Sequence, residues 1–281
     1  MAAAPVILAA VFPCLPNRCY VIDPANMLSC LKNSRRQACM GQQEGCIAHH
    51  FSHYAKLSDN DRRQLDALEG SATDVIKGQV LWHEGDMARD FYILRKGWAY
   101  ASRYLESGTR HILEIYLPGD VIGLSDFAFK QRPSSVAMLE DGAIVPVATR
   151  QLLNLFRESS SLMSVCFAAC SYQQAVLSER LVHLSRRSAR QRVAYLLFEI
   201  ACRLRRNRHT PGECFRLPLS QQQLADALGL SPVHVSRTLT AFRQEGLLKL
   251  SRGWVHMLDM QALANEGSIV GCLHHHVELT V

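Results

Sequence analysis

The stretch SPVHVSRTLT, residues 231–240, gathers hydroxyl, imidazole and guanidinium groups along one side of a helical repeat. Arg237 is the group with the most specific chemistry, because a guanidinium can donate two parallel hydrogen bonds to guanine O6 and N7. Ser231, Val233, His234, Ser236 and Thr240 flank it at helical spacing. Eleven residues before Ser231, Ser220 opens a second group with Gln221 and Gln222. Hydroxyl and amide side chains beside the free N–H groups of a helix start suit a phosphate. Together these residues could read base edges and hold a double-stranded DNA backbone. Catalysis is not expected: no acid, base and nucleophile cluster at a recognisable spacing, and no phosphate loop or zinc-protease motif is present.

The elements that would position these side chains are legible in the same stretch. Ser220 and Gln223 form a capping box, which starts a helix with Leu224, Ala225 and Leu228 turned inward. Gly229 ends it, since glycine enters the left-handed conformation cheaply. Ser231 caps the next helix and Pro232 takes its first position, where a missing N–H costs nothing. Val235, Leu239 and Phe242 form the buried face of that second helix. The pair reads as a helix-turn-helix whose second helix starts outside the body of the domain, as the DNA major groove requires. "GLLKLSRGWVHML" then reads as a two-stranded wing that brings Lys249 and Arg252 near the duplex backbone. An αα-hairpin without a nucleic-acid role shares the Ala-x-x-x-Gly spacing; the caps, the basic protruding residues and the wing favour DNA.

The charge distribution agrees. The chain has 281 residues and a formal net charge of +6. Residues 50–150 carry 12 Lys/Arg against 14 Asp/Glu, whereas residues 188–281 carry 11 against 7. A basic C-terminal half suits a polyanion. Five of the ten cysteines lie in the first fifty residues, without the CxxC spacing of a zinc site. "PVILAAVF" lacks a preceding basic segment and is too short to span a bilayer. A cytoplasmic location, reduced thiols and no membrane partner are expected.

The rest of the chain divides into segments. Residues 1–48 show no sustained period and read as a disordered tail or an upstream extension. Residues 49–158 begin with a helix capped by Ser58 and continue as short strands, with Gly78, Gly85, Gly97, Gly108 and Gly119 marking turns about ten residues apart. Residues 159–187 form a long helix and hinge, in which Met163, Cys166, Cys170, Gln173, Leu177, Leu181 and Leu184 recur like a coiled-coil seam. Self-association through that seam is expected, giving a homodimer. Residues 188–281 form the DNA-binding domain, opened by the Ser188–Gln191 capping box. The fold class is α+β: an N-terminal β-roll, a long dimerisation helix and a C-terminal winged helix-turn-helix.

Over residues 50–265 the order of motifs resembles the cyclic-AMP receptor / fumarate–nitrate reduction regulator (CRP/FNR) superfamily of bacterial transcription factors. The resemblance rests on "EGD" at 84–86, "FYIL" at 91–94, "LPGDVIG" at 117–123, "RPSSVAMLED" at 132–141 and "LSERLVHLSRRSARQRVAYLL" before the helix-turn-helix. It implies a cyclic-nucleotide-binding-like sensor domain and a homodimer that binds a two-fold operator and recruits or blocks RNA polymerase. It also implies an effector site near Arg132, Ser134 and Leu124. Members that bind cyclic AMP place a Glu where Leu124 stands and a Ser directly after the Arg, where Pro133 stands. Leu124 leaves ribose hydroxyls unpaired, at about 1–3 kcal/mol, so cyclic AMP is not expected. Iron–sulfur members use a tight N-terminal cysteine group plus one cysteine in the β-domain; here the first are widely spaced and the second is missing. His83 and His111 are read as strand or surface residues, so neither a cluster nor haem is expected. Many relatives carry Glu where Val233 stands; valine suits a thymine methyl instead. The competing reading is a ligand- or thiol-redox-sensing protein with little affinity for DNA.

Overall fold

A computed structural model describes residues 46–207 and 213–268. Two short helices come first, α1 (Cys46–Ser52) and α2 (Asp59–Asp66). Ile47, Ala48 and Phe51 of α1 are fully buried with Leu65, Phe91, Val145 and Leu152. The expected tail over 1–48 is therefore corrected at its end, because the apolar face of α1 belongs to the first domain's core. The rest of that segment, residues 1–45, lies outside the described residues, as do 208–212 of the basic loop and 269–281.

Eight strands follow: β1 (Thr73–Val75), β2 (Val80–Trp82), β3 (Asp90–Lys96), β4 (Ala99–Tyr104), β5 (Arg110–Tyr116), β6 (Val121–Ile122), β7 (Ser135–Met138) and β8 (Gly142–Ala148). They form two antiparallel four-stranded sheets, ordered β1-β8-β3-β6 and β2-β7-β4-β5. All five glycines read as turn markers have positive φ. Among these five the approach is closest at Gly97: φ is +85°, and a Cβ there would lie 2.9 Å from the Asp141 carbonyl oxygen.

Helix α3 (Thr149–Glu158) leads into the 27-residue α4 (Ser160–Arg186). Val165, Cys166, Ala169 and Tyr172 of α4 pack on the first domain. Ser188 then caps α5 (Ala189–Arg206) through the capping box read in the sequence. The C-terminal domain continues with β9 (Cys214–Arg216), α6 (Gln221–Leu228), α7 (Pro232–Gln244), β10 (Leu248–Ser251), β11 (Trp254–Met257) and α8 (Met260–Glu266). Its sheet runs β10-β11-β9. Trp98, Ile112, Ile115 and Leu117 of the first domain share one apolar core with Val193, Leu197 and Ile200 of α5 and Leu224 of α6.

A buried ionic network crosses the same junction. Arg203 of α5 pairs with Asp120, and with Glu199 at 3.3 Å; Arg180 of α4 pairs with Glu199 at 2.5 Å and donates to the Leu113 carbonyl at 3.2 Å. His50 lies nearby, 5% exposed, with no hydrogen bond at Nε2. Burial pushes its pKa down from 6.5 to about 4, against the pull of Asp120. The folded protein thus holds His50 neutral while the unfolded chain protonates it below pH 6.5, so the contribution is whole above pH 6.5 and is lost as pH falls toward 4. From pH 6.5 to 5 the loss is about 2 kcal/mol. Urea unfolding across that interval should show the fall in wild type and a shallower one in His50→Leu; equal pH slopes would contradict it.

Candidate nucleic-acid interface

Helix α6 is closed at its start as the sequence implied. Ser220 Oγ accepts from the Gln223 N–H at 3.1 Å, and Gln223 Oε1 accepts from the Ser220 N–H at 2.9 Å. Gly229 takes φ +59°, and the Leu230 N–H reaches back to the Ala225 carbonyl at 3.1 Å. This tight turn starts α7 immediately, with Pro232 in its first turn and Ser231 Oγ accepting from the His234 N–H at 3.3 Å. Val235, Leu239 and Phe242 anchor α7 inside. Arg190 of α5 stacks over the Phe242 ring at 4.7 Å and pairs with Glu245 and with Glu266.

What remains on the outside of α7 is a polar face. Val233, His234, Arg237 and Thr240 are exposed, and Ser236 is half-buried. Arg237 makes no hydrogen bond or ion pair among the described residues, so its donors are available. Ser231 is not: its oxygen serves the helix start and also lies 3.3 Å from His234 Nδ1. Arg243 and Gln244, which were not picked out, are exposed on the same face and line a groove of about 390 Å³ with Thr240 and Lys249. Their spacing of three or four residues from Thr240 was the available signal.

The flanking phosphate candidates divide. Gln221 is exposed at the start of α6. Gln222 instead donates to Asp226 Oδ1 at 2.7 Å, and Arg110 of β5 grips the other oxygen of that carboxylate at 2.7 Å. The expected contact from Gln222 is thus turned back along its own helix. Arg252 is exposed at the tip of the β10–β11 wing. Ser251 pairs with Trp254, leaving the two-residue turn Arg252–Gly253 with φ of +48° and +81°. Two positive φ values make the hairpin turn that matches strand twist, and they hold Arg252 out.

The residues assigned to an effector site are committed elsewhere. Arg132 is 5% exposed, its guanidinium 3.8 Å from the Trp82 ring centre and 3.2 Å from Asp126, with the Asp90 carbonyl as a further acceptor. Leu124 is in the core. Ser134 is buried, and its carbonyl accepts from Trp82 Nε1 at 3.0 Å. A Cβ at Gly123 would lie 2.8 Å from Arg132 and 2.9 Å from Trp82, so protein atoms fill this spot. Assigning Arg132 and Leu124 to an open ligand site is therefore corrected. A cavity of about 410 Å³ opens instead between β5, α4, α5 and α6; Glu114, Leu177, His183, Tyr195 and Leu228 are among its lining residues, Ser134 lies on it, and neither Arg132 nor Leu124 does.

The seam on α4 also needs correction at two of its seven positions. Cys166 is 4% exposed and packs inward, whereas its neighbour Phe167 is 73% exposed. Gln173 is half-buried and turns toward Tyr54 and Arg203, while Gln174 is exposed. The outward stripe is Met163, Phe167, Gln174, Leu177 and Leu181, and the half-buried Cys170 and Leu184 complete a strict four-three alternation. Beside it Ser164, Ser171, Ser178 and Ser185 recur every seventh residue, all exposed.

Comparison with known proteins matches both halves of this architecture. Residues 73–159 fit the cyclic nucleotide-binding domain and residues 191–266 fit the Crp-like helix-turn-helix domain. The chain is 25% identical over 208 residues to the fumarate and nitrate reduction regulatory protein of Shigella dysenteriae, covering 74% of this chain and 83% of that one. It is 28% identical over 218 residues to the transcriptional activator protein Anr of Pseudomonas protegens, covering 76% and 88%. The solved structure of FixK2 from Bradyrhizobium japonicum superposes with a TM-score of 0.66 at 23% identity, covering 71% of this chain and 98% of that one. No helix among the described residues is long and apolar enough to cross a membrane. With its helix-turn-helix, wing and exposed Arg237, the chain is a DNA-binding transcription regulator of the CRP/FNR superfamily.

Proposed function

We propose that the chain acts as a cytoplasmic homodimer, paired along the outward stripe of α4, that binds a two-fold operator and changes transcription through contact with RNA polymerase. The observation that carries the reading is the heptad spacing of that stripe, with Met163, Phe167, Gln174, Leu177 and Leu181 exposed. A four-three alternation fits a second helix with the same repeat, and a two-fold axis presents each α7 to one half-site. The uncommitted guanidinium of Arg237 favours this reading over a sensing protein with little affinity for DNA. The reading includes no catalytic step.

Cyclic AMP does not fit as the signal. The guanidinium that would meet a cyclic phosphate is held by Asp126 and Trp82, and Leu124 offers a ribose nothing to bond. The arrangement supports a signal that enters by another route.

Selection from random duplexes by the purified protein, together with its mass in solution, tests the proposal. The expected result is a dimer mass and an inverted repeat with half-site centres about 10–10.5 base pairs apart. A monomer mass with enrichment of single half-sites would overturn it.

A further inference from the structure

We propose that Cys170 is a thiol–disulfide exchange site at which two copies of this chain become covalently joined across the α4 seam. The proposal rests on the α4 dimer described above. Cys170 lies on the stripe between Phe167 and Gln174, half-buried at the edge of the first domain's core, and the serine row lies beside it. In a parallel pair related by a two-fold axis, a seam residue faces the same residue of the other copy. Helix axes about 8–10 Å apart, with Cα atoms on a roughly 2.3 Å radius, leave facing Cα atoms roughly 3.5–5.5 Å apart. That range overlaps the separation a disulfide spans. Small, uncharged serines at the flanks place no like charges against the second copy.

The neighbouring thiol makes Cys170 the reactive one. Cys166 packs inward one turn away and its thiol is hydrogen-bonded to that of Cys170. Donation from Cys166 stabilises the Cys170 thiolate and pulls its pKa down to about 7, whereas the same bond and burial push Cys166 up. The thiolate is the attacking form. The two cannot bridge within one helix: Cβ atoms a turn apart stand about 5–6 Å from each other, beyond the roughly 3.5–4.5 Å of a disulfide.

The oxidant is a low-molecular-weight disulfide such as oxidised glutathione. The Cys170 thiolate attacks one of its sulfurs, forming a mixed disulfide and releasing one glutathione thiolate, which takes up a proton. The second copy's Cys170 thiolate then attacks the Cys170 sulfur, breaking the mixed disulfide and releasing the second glutathione. Two protein thiols are oxidised and one glutathione disulfide is reduced, with no other reactant.

The test uses the full chain, whose mass is first measured under reducing conditions. The reduced protein is then exposed to oxidised glutathione at pH 7 and followed on non-reducing gels and by intact mass. Wild type should give a covalent dimer that dithiothreitol reverses. Cys170→Ser should remain a dimer by mass but form no covalent species. Cys166→Ala should cross-link several-fold more slowly at pH 7 and at the wild-type rate above pH 9. A monomer mass under reducing conditions would defeat the α4 dimer and this proposal with it. A dimer that gains only glutathione at Cys170, or that still cross-links as Cys170→Ser, would overturn this proposal alone.

Discussion

Replacing Arg237 by alanine should weaken operator binding by roughly 1–3 kcal/mol, about 5- to 150-fold, and relax selection at one base pair per half-site. The expected size follows from the position of the side chain. Val235 and Leu239 pin α7 from below, so Arg237 is presented on a rigid helix, and among the described residues it has no partner to give up before meeting a base. Arg252→Ala and Gln221→Ala differ in kind. Arg252 stands at the wing tip and Gln221 at the start of α6, both facing outward without a base-reading geometry. Losing Arg252 should weaken specific and scrambled duplexes alike and reduce the slope of log K against log salt by about one. Gel shifts on the selected operator, on single-position variants and on scrambled DNA at several salt concentrations separate the two classes. Equal loss for Arg237→Ala on operator and scrambled DNA would remove it from base reading. His234 should matter less than its exposure suggests, because its ring already lies against Ser231 Oγ.

The local elements were legible because short-range chemistry decides them. Ser58 caps the helix it was expected to open, Ser188 and Ser220 cap the helices that the Ser-x-x-Gln spacing marks, and Gly229 turns where a left-handed residue was required. What the sequence hid depends on partners distant in the chain. Phe167 looks like a core residue and Cys166 like a tolerable seam residue, yet Val165, Ala169 and Tyr172 fix the inward face of α4 and carry Cys166 with them. A one-residue error on a helix rotates a side chain by about 100°, enough to exchange inside for outside. Gln222 reads as a phosphate donor until Asp226, held by Arg110 116 positions earlier, claims it. Arg132 reads as an anion ligand until Asp126 and Trp82 enclose it. In each of these cases the residue type was right for the chemistry and the partner was beyond the reach of spacing.

The second large effect is expected at Arg203. Its guanidinium lies between Asp120 of the first domain and Glu199 of its own helix; both acids are buried and the Arg203 side chain is 11% exposed. Asp120 also accepts from the Leu117 N–H at 2.7 Å and from Asn207, and Glu199 is shared with Arg180. Arg203→Met keeps much of the side-chain volume but takes from the buried Asp120 and Glu199 the cation that lies between them. Breaking a buried pair from one side costs about 3–5 kcal/mol, because the abandoned charge cannot regain water. The loss should ease when Asp120 is also neutralised, so Arg203→Met/Asp120→Asn is expected to be more stable than Arg203→Met alone, a non-additive pair. The same network fastens α5 to the first domain, and α5 carries the helix-turn-helix. Hydrogen exchange should therefore quicken first at Leu117–Asp120 and along α5 in Arg203→Met, while amides at the far end of the β-roll in β3 and β8 keep their protection. Urea unfolding of the single and double variants measures the energies. A single variant within 1 kcal/mol of wild type would mean that water reaches these charges and that the junction is held by the apolar core alone.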